Sequence, residues 1–200
     1  MYPIPIQQLI RAFSNLPTVG PRTAERFVFH LLRSGKRDVS ELIKSLENLM
    51  TNIESCHVCW DFSDRNPCII CRDTRRDTQT ICVVDQPQSL QTIERTKQYT
   101  GLYHVLRGTI DVTKDRALDT LKITELITRV NTHSVREVIL ALSPDLTGEN
   151  TMMYLERKLH AAARNVTISR LARGLPMGCD LQYADDVTLR SALEHRTAHK

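Results

Sequence analysis

The run Cys56-His57-Val58-Cys59-Trp60-Asp61-Phe62-Ser63-Asp64-Arg65-Asn66-Pro67-Cys68-Ile69-Ile70-Cys71, followed ten residues later by Ile81-Cys82-Val83-Val84-Asp85, decides the fold. Two CxxC pairs separated by eight residues place four thiolates where they can converge on one tetrahedral Zn2+, at bonds of about 2.3 Å. Four sulfur ligands leave no open position for water. Zinc held by Cys56, Cys59, Cys68 and Cys71 is therefore structural, and contributes folding energy to a segment too short to build its own core. The competing readings are two disulfides or unrelated buried thiols. His57 exceeds the ligand count, and Trp60 is expected beside the cluster. Arg72, Arg75 and Arg76 form either a basic patch or a solvated linker. Cys82 and Cys179 read as packing residues.

Downstream of the cysteines the pattern alternates strand and helix, which predicts a parallel sheet covered by helices. Ile81 to Val84 is a short apolar strand ending in Asp85. A helix over about residues 88 to 98, a strand Leu102 to Leu106, a helix near Leu118 to Val130 and a strand Val138 to Leu142 follow. A helix beginning near Thr151 and a strand Val166 to Ser169 complete the set. Sites in such sheets lie beyond the carboxyl ends of strands. Asp85, with Asp145 and Glu149 in a later loop, is thus a candidate acidic cluster for Mg2+, against the plainer reading of a solvated sheet rim.

Upstream lie three amphipathic helices, marked by Leu9, Ile10, Phe13 and Leu16, then Ala24, Phe27, Val28, Leu31 and Leu32, then Val39, Leu42, Ile43, Leu46, Leu49, Met50 and Ile53. Asp38 and Glu41 are spaced as a capping box for the third. Residues 1–37 carry Arg11, Arg22, Arg26, Arg33, Lys36 and Arg37 against Glu25 alone, a local charge of +5 in a chain of net +4. The joint Leu16-Pro17-Thr18-Val19-Gly20-Pro21-Arg22 has Pro21 suited to a first helical turn and Gly20 suited to a tight turn before it. Backbone amides there, with Arg22 and Arg26 four residues apart, form a site for phosphate oxygens. A solvated basic face and a plain packing corner are the bland alternatives.

With 41% apolar and 25% charged residues the 200-residue chain has the composition of a soluble globular protein, not of a disordered or fibrous one. No apolar run reaches membrane-spanning length and the first residues lack signal-peptide features, so a cytoplasmic protein without membrane association is expected.

Leu16 to Leu32, the four cysteines, Ile81-Cys82-Val83-Val84-Asp85, Gly101-Leu102-Tyr103-His104-Val105-Leu106, and Arg170 to Gly178 with Ala184 to Leu189 together resemble the RecR family of bacterial recombination mediators. The resemblance implies an α/β multi-part chain: a helix-hairpin-helix domain (1–53), a four-cysteine zinc finger (54–76), a Toprim domain (77–173) with a parallel sheet and flanking helices, and a short C-terminal Walker-B-like segment (174–200). It further implies no enzymatic activity and DNA binding through Gly20, Arg22 and Arg26. The implied partners are gapped, single- or double-stranded DNA, RecO-like and RecF-like proteins, and further copies of the chain in a dimer or tetramer ring that helps load RecA. Thr18 stands where that family's hairpin has glycine, Asp85 where it has glutamate, Thr147 where an acid is common, and Cys179 where glycine is common. The loop 107–118 departs from the family's glycine-rich stretch. His104 and Tyr103 are expected to be packing residues. The alternative function is a Mg2+-dependent Toprim phosphoryl-transfer enzyme, for which Asp85 and Glu149 are an incomplete acid set. A zinc-stabilised scaffold that binds only proteins is a third reading, marked by no retention on heparin.

Overall fold

A computed structural model describes residues 2–111, 118–132, 134–163 and 165–196. The chain divides into two compact units, one ending at Ile53 and one beginning at Glu54. Among the described residues no helix is long and apolar enough to cross a membrane.

The first unit contains helices α1 (Ile4–Ser14), α2 (Pro21–Ser34) and α3 (Lys36–Asn52). α1 and α2 meet through Phe13 and Phe27, whose rings stand edge to face at 5.7 Å, and Ala24 and Val28 form the buried side of α2. The expected capping box on α3 does not form. Gly35, at φ 88°, ends α2 and starts α3 in a single residue, so Asp38 lies inside the first turn with no side chain capping the helix. Glu41 instead pairs with Arg37 at 3.2 Å. The apolar stripe of α3 is present as expected, but Leu42, Ile43, Leu46, Leu49 and Met50 are exposed.

The second unit opens with the short ribbon β1 (Glu54–Ser55) and β2 (Phe62–Ser63) and the single turn α4 (Ile69–Arg72). Strands β3 (Asp77–Val84), β4 (Gly101–Val105), β5 (Glu137–Leu140) and β6 (Thr167–Arg170) then form one sheet in the order β4-β3-β5-β6, with every pair parallel. The connecting helices are α5 (Pro87–Arg95), α6 (Ile123–Thr132) and α7 (Leu146–Ala162), and α8 (Asp186–Glu194) closes the chain. The α6 pattern begins later than expected, because residues 118–120 are turn. α7 begins earlier, because Asp145 caps it. Of the divergent loop 107–118, residues 112–117 lie outside the described residues.

Alternation along β3 builds two cores. Ile81 and Val83 face Leu126, Val130, Met152, Leu155 and Leu159, while Cys82 and Val84 face Leu90, Tyr103, Val105 and the cysteine cluster. The finger is thus roofed by a face of the sheet, which resolves how so short a segment is stabilised. β3 leads to β4 on one side and β5 leads to β6 on the other, so the carboxyl ends of β3 and β5 flank the switch point of the sheet.

Candidate metal centre and nucleic-acid interface

The Sγ atoms of Cys56, Cys59, Cys68 and Cys71 all lie within 4.8 Å of one another, and three of the four residues are buried. Cys59 and Cys68 sulfurs are 3.6 Å apart, close to the edge of about 3.8 Å that a tetrahedron with 2.3 Å bonds requires. The backbone prepares the sulfurs as ligands: Cys68 N–H donates to Cys56 Sγ at 3.3 Å and Cys71 N–H to Cys68 Sγ at 3.5 Å. The first knuckle is held by two main-chain bonds, Cys56 N–H to Asp61 O at 2.8 Å and Trp60 N–H to Cys56 O at 2.9 Å. Donation from Cys59, then from Cys71, holds the Cys68 thiol well below its usual range, while the hydrogen bond to Cys68 pushes Cys59 up and hydrogen bonds to Cys59, then Cys68, push Cys71 up. Thiolates this close repel one another, so the four can all ionise only if a divalent cation takes the place of the shared protons. The geometry fits zinc in a closed, structural site. None of the six cysteines is disulfide-bonded.

Val105 N–H donates to Cys59 O at 2.8 Å, tying the first knuckle to β4. Arg107, at φ 69°, adds a clamp from the same strand end: its Nε donates to Trp60 O at 2.9 Å and its Nη2 to Ser55 Oγ at 2.8 Å, while the guanidinium lies 3.8 Å from the centre of the Phe62 ring. Sequence reading assigned Arg107 no role, and only its place directly after a sheet strand could have drawn notice. Trp60 stands by the cluster as expected, with Lys122 Nζ 4.1 Å above its ring. His57 takes no part in the sulfur group; its N–H donates to Asn66 Oδ1 at 3.0 Å.

Several expected sites do not assemble. Among the described residues the cysteines are the one group of three or more such side chains that converges, so Asp85, Asp145 and Glu149 form no acidic cluster. Asp85 accepts from Ser89 Oγ at 2.7 Å. Asp145 caps α7, accepting from Gly148 N–H at 2.7 Å and Thr147 Oγ1 at 2.9 Å, which holds its carboxyl below the usual range. Glu149 is bound by Arg170 at 3.2 Å and by Arg173. The basic patch after the finger is largely neutralised, since Arg75 pairs with Asp73 at 2.8 Å and Arg76 with Glu94. Cys82 is buried as expected, but Cys179 is exposed, because it lies in an irregular segment with no apolar layer over it. Tyr103 and His104 are fully buried, as expected of packing residues. Burial drives the His104 pKa down to about 4, and its Nε2 lies 2.7 Å from Lys122 O.

At the hairpin the left-handed residue is Thr18, at φ 66°, not Gly20, which has an ordinary extended backbone at φ −78° and ψ 166°. A Cβ at Gly20 would meet nothing within 4 Å, so neither backbone angle nor packing within the fold requires glycine there. Pro21 starts α2 and no side chain caps that helix end. Arg22 and Arg26 are both exposed, and neither is ion-paired with a described residue. An uncapped helix start flanked by two free guanidiniums is an electrostatic fit to an oxyanion.

Three family models match the chain in order: the helix-hairpin-helix of RecR over residues 6–50, a Toprim domain over 79–172 and the C-terminal region of RecR over 174–197. Proteins named recombination protein RecR from two strains of Clostridium perfringens are each 42% identical to it over 196 residues, which is 98% of this chain and 98% of theirs. Joined to the four-cysteine centre, the parallel sheet and the helical hairpin, that likeness places the chain in the RecR family of recombination proteins.

Proposed function

We propose that the protein is a non-enzymatic DNA-binding mediator of recombinational repair, built as a hairpin domain (1–53), a zinc finger (54–76), a Toprim domain (77–173) and a C-terminal segment (174–200). The observation that carries this reading is the uncapped start of α2 beside exposed Arg22 and Arg26. Backbone amides and guanidiniums in that arrangement grip phosphate without reading bases, which suits a protein that must act at any gap. Cys56, Cys59, Cys68 and Cys71 would hold zinc, whose charge organises the finger against the sheet. Further copies of the chain would cover the exposed stripe of α3, whose Met50 is 82% exposed, and so make a dimer or tetramer ring. RecO-like and RecF-like proteins are the proposed partners in loading RecA on gapped DNA, in the cytoplasm.

The alternative, a Toprim enzyme, needs acids arranged around a divalent ion and a phosphate. Glu149 is already engaged by two arginines and Asp145 by the cap of α7, which favours the binding role. The test is an Arg22→Ala, Arg26→Ala double variant in the full chain. It should lose affinity about equally on all sequences and show a shallower salt dependence, since phosphate contacts carry no sequence information. Unchanged binding in a folded variant, or Mg2+-dependent nicking abolished by Asp85→Asn, would overturn the assignment.

A further inference from the structure

Seen down the axis of α2 at about 100° per residue, Arg22, Arg26 and Arg33 fall within roughly 40° of one another, and His30 about 40° further round. Ala24 and Val28, the buried residues of this helix, lie on the opposite side. The same side chains line a groove of about 780 Å3 with Thr23, Glu25 and Phe29. Arg33 and His30 are spare in the fold. Neither side chain is hydrogen-bonded or ion-paired with a described residue, and the His30 main-chain carbonyl accepts from Ser34 Oγ at 3.0 Å. Arg33 is therefore not a cap for its own helix end. Glu25 is the one acid on this face, and the Tyr2 hydroxyl donates to it, with the Tyr2 ring packed at 5.2 Å on Phe29. Its charge is thereby partly satisfied from inside the domain, and three guanidiniums remain turned to solvent.

We propose that the phosphate-binding surface does not end at the first turn of α2 but continues along this face through His30 to Arg33. This rests on the reading of Arg22 and Arg26 as phosphate contacts. Eleven residues at 1.5 Å rise make a track of about 16 Å, against an axial spacing of about 3.4 Å per charge in one DNA strand. Such a track spans several phosphates and not one. The macrodipole alone would favour phosphate only at the start of α2 and disfavour it at the end. Arg33 in the last turn offsets the negative helix terminus and lets one strand follow the whole face.

The experiment is a salt series of fluorescence-anisotropy titrations of the full chain on a fluorescein-labelled oligonucleotide, with circular dichroism to verify helix content. Arg33→Ala should weaken binding roughly three- to tenfold and lower the slope of log K against log salt by about 0.7 to 0.9, the signature of one lost phosphate contact. His30→Gln should weaken binding less, and Arg33→Lys should restore the slope. Lys44→Ala on α3, which removes the same charge away from the track, should leave the slope as it is. If the Arg22→Ala, Arg26→Ala variant loses binding while Arg33→Ala keeps the wild-type affinity and slope, the track is overturned and the shorter site stands. If Lys44→Ala lowers the slope as much as Arg33→Ala does, the effect is one of net charge and the track is again overturned. If all of these variants bind as wild type, the phosphate reading of the hairpin fails with it.

Discussion

Replacing Arg107 by alanine should loosen the metal centre without touching a ligand. The side chain supplies two hydrogen bonds, to Trp60 O at 2.9 Å and Ser55 Oγ at 2.8 Å, and a stacked contact on Phe62 at 3.8 Å. Hydrogen bonds from a charged donor contribute about 1.5 to 3 kcal/mol each when buried, and a cation over an aromatic face about 0.5 to 1 kcal/mol when exposed. Arg107 is half-buried, so about 2 kcal/mol is the expected loss after solvent screening. For a unit of this size that corresponds to a fall in Tm of about 4 to 8 °C. The backbone provides an internal control, because at φ 69° a residue with a Cβ bears a cost of about 1 to 2 kcal/mol that glycine escapes. Arg107→Gly should therefore be more stable than Arg107→Ala although it lacks the same contacts. Thermal unfolding gives the stabilities, and transfer of zinc to a colorimetric chelator gives the release rate, which should rise in both variants. A wild-type Tm and release rate in Arg107→Ala, or a Gly variant weaker than the Ala variant, would refute the clamp.

Three further outcomes are expected. Freshly purified, reduced protein should contain one zinc per chain, and chelation should lower its thermal stability, since the four cysteines share a core with β3 and β4; absence of zinc, or a Cys56–Cys59 disulfide, would defeat this. His104, with its pKa near 4 in the fold and about 6.5 when unfolded, binds a proton more readily in the unfolded chain. Its contribution is therefore intact above about pH 6.5 and is lost as pH falls toward 4, at a cost of about 3 kcal/mol, and a urea series should show a shallower acid decline in His104→Gln. Gly148→Ala, which helix propensity alone would favour by about 1 kcal/mol, should instead destabilise by about 2 to 3 kcal/mol, because its Cβ would lie 2.0 Å from Ser143 O; an unchanged or raised urea midpoint would contradict the packing.

The properties legible in the sequence are those that depend on near neighbours along the chain. Ligand spacing brings Cys56 and Cys59, and Cys68 and Cys71, into knuckles whatever surrounds them, and alternation along Ile81 to Val84 divides that strand between two faces. The helical period of α2 likewise separates Ala24 and Val28 from Arg22 and Arg26 before any packing is known. Other properties depend on groups that only the fold brings near. Asp145 looked like a metal acid because a carboxylate at a strand's end can serve an ion or a helix start equally well. Its choice was made by the Gly148 N–H three residues on, and that of Glu149 by arginines 21 and 24 residues away. The capping box at Asp38 was displaced by the backbone angle of one glycine, and Arg107 found its partners 47 and 52 residues back in the chain. A side chain's chemistry is set by its own atoms, but the partner that uses it is set by tertiary proximity, because hydrogen bonds and ion pairs act over a few ångströms of space and not along the chain.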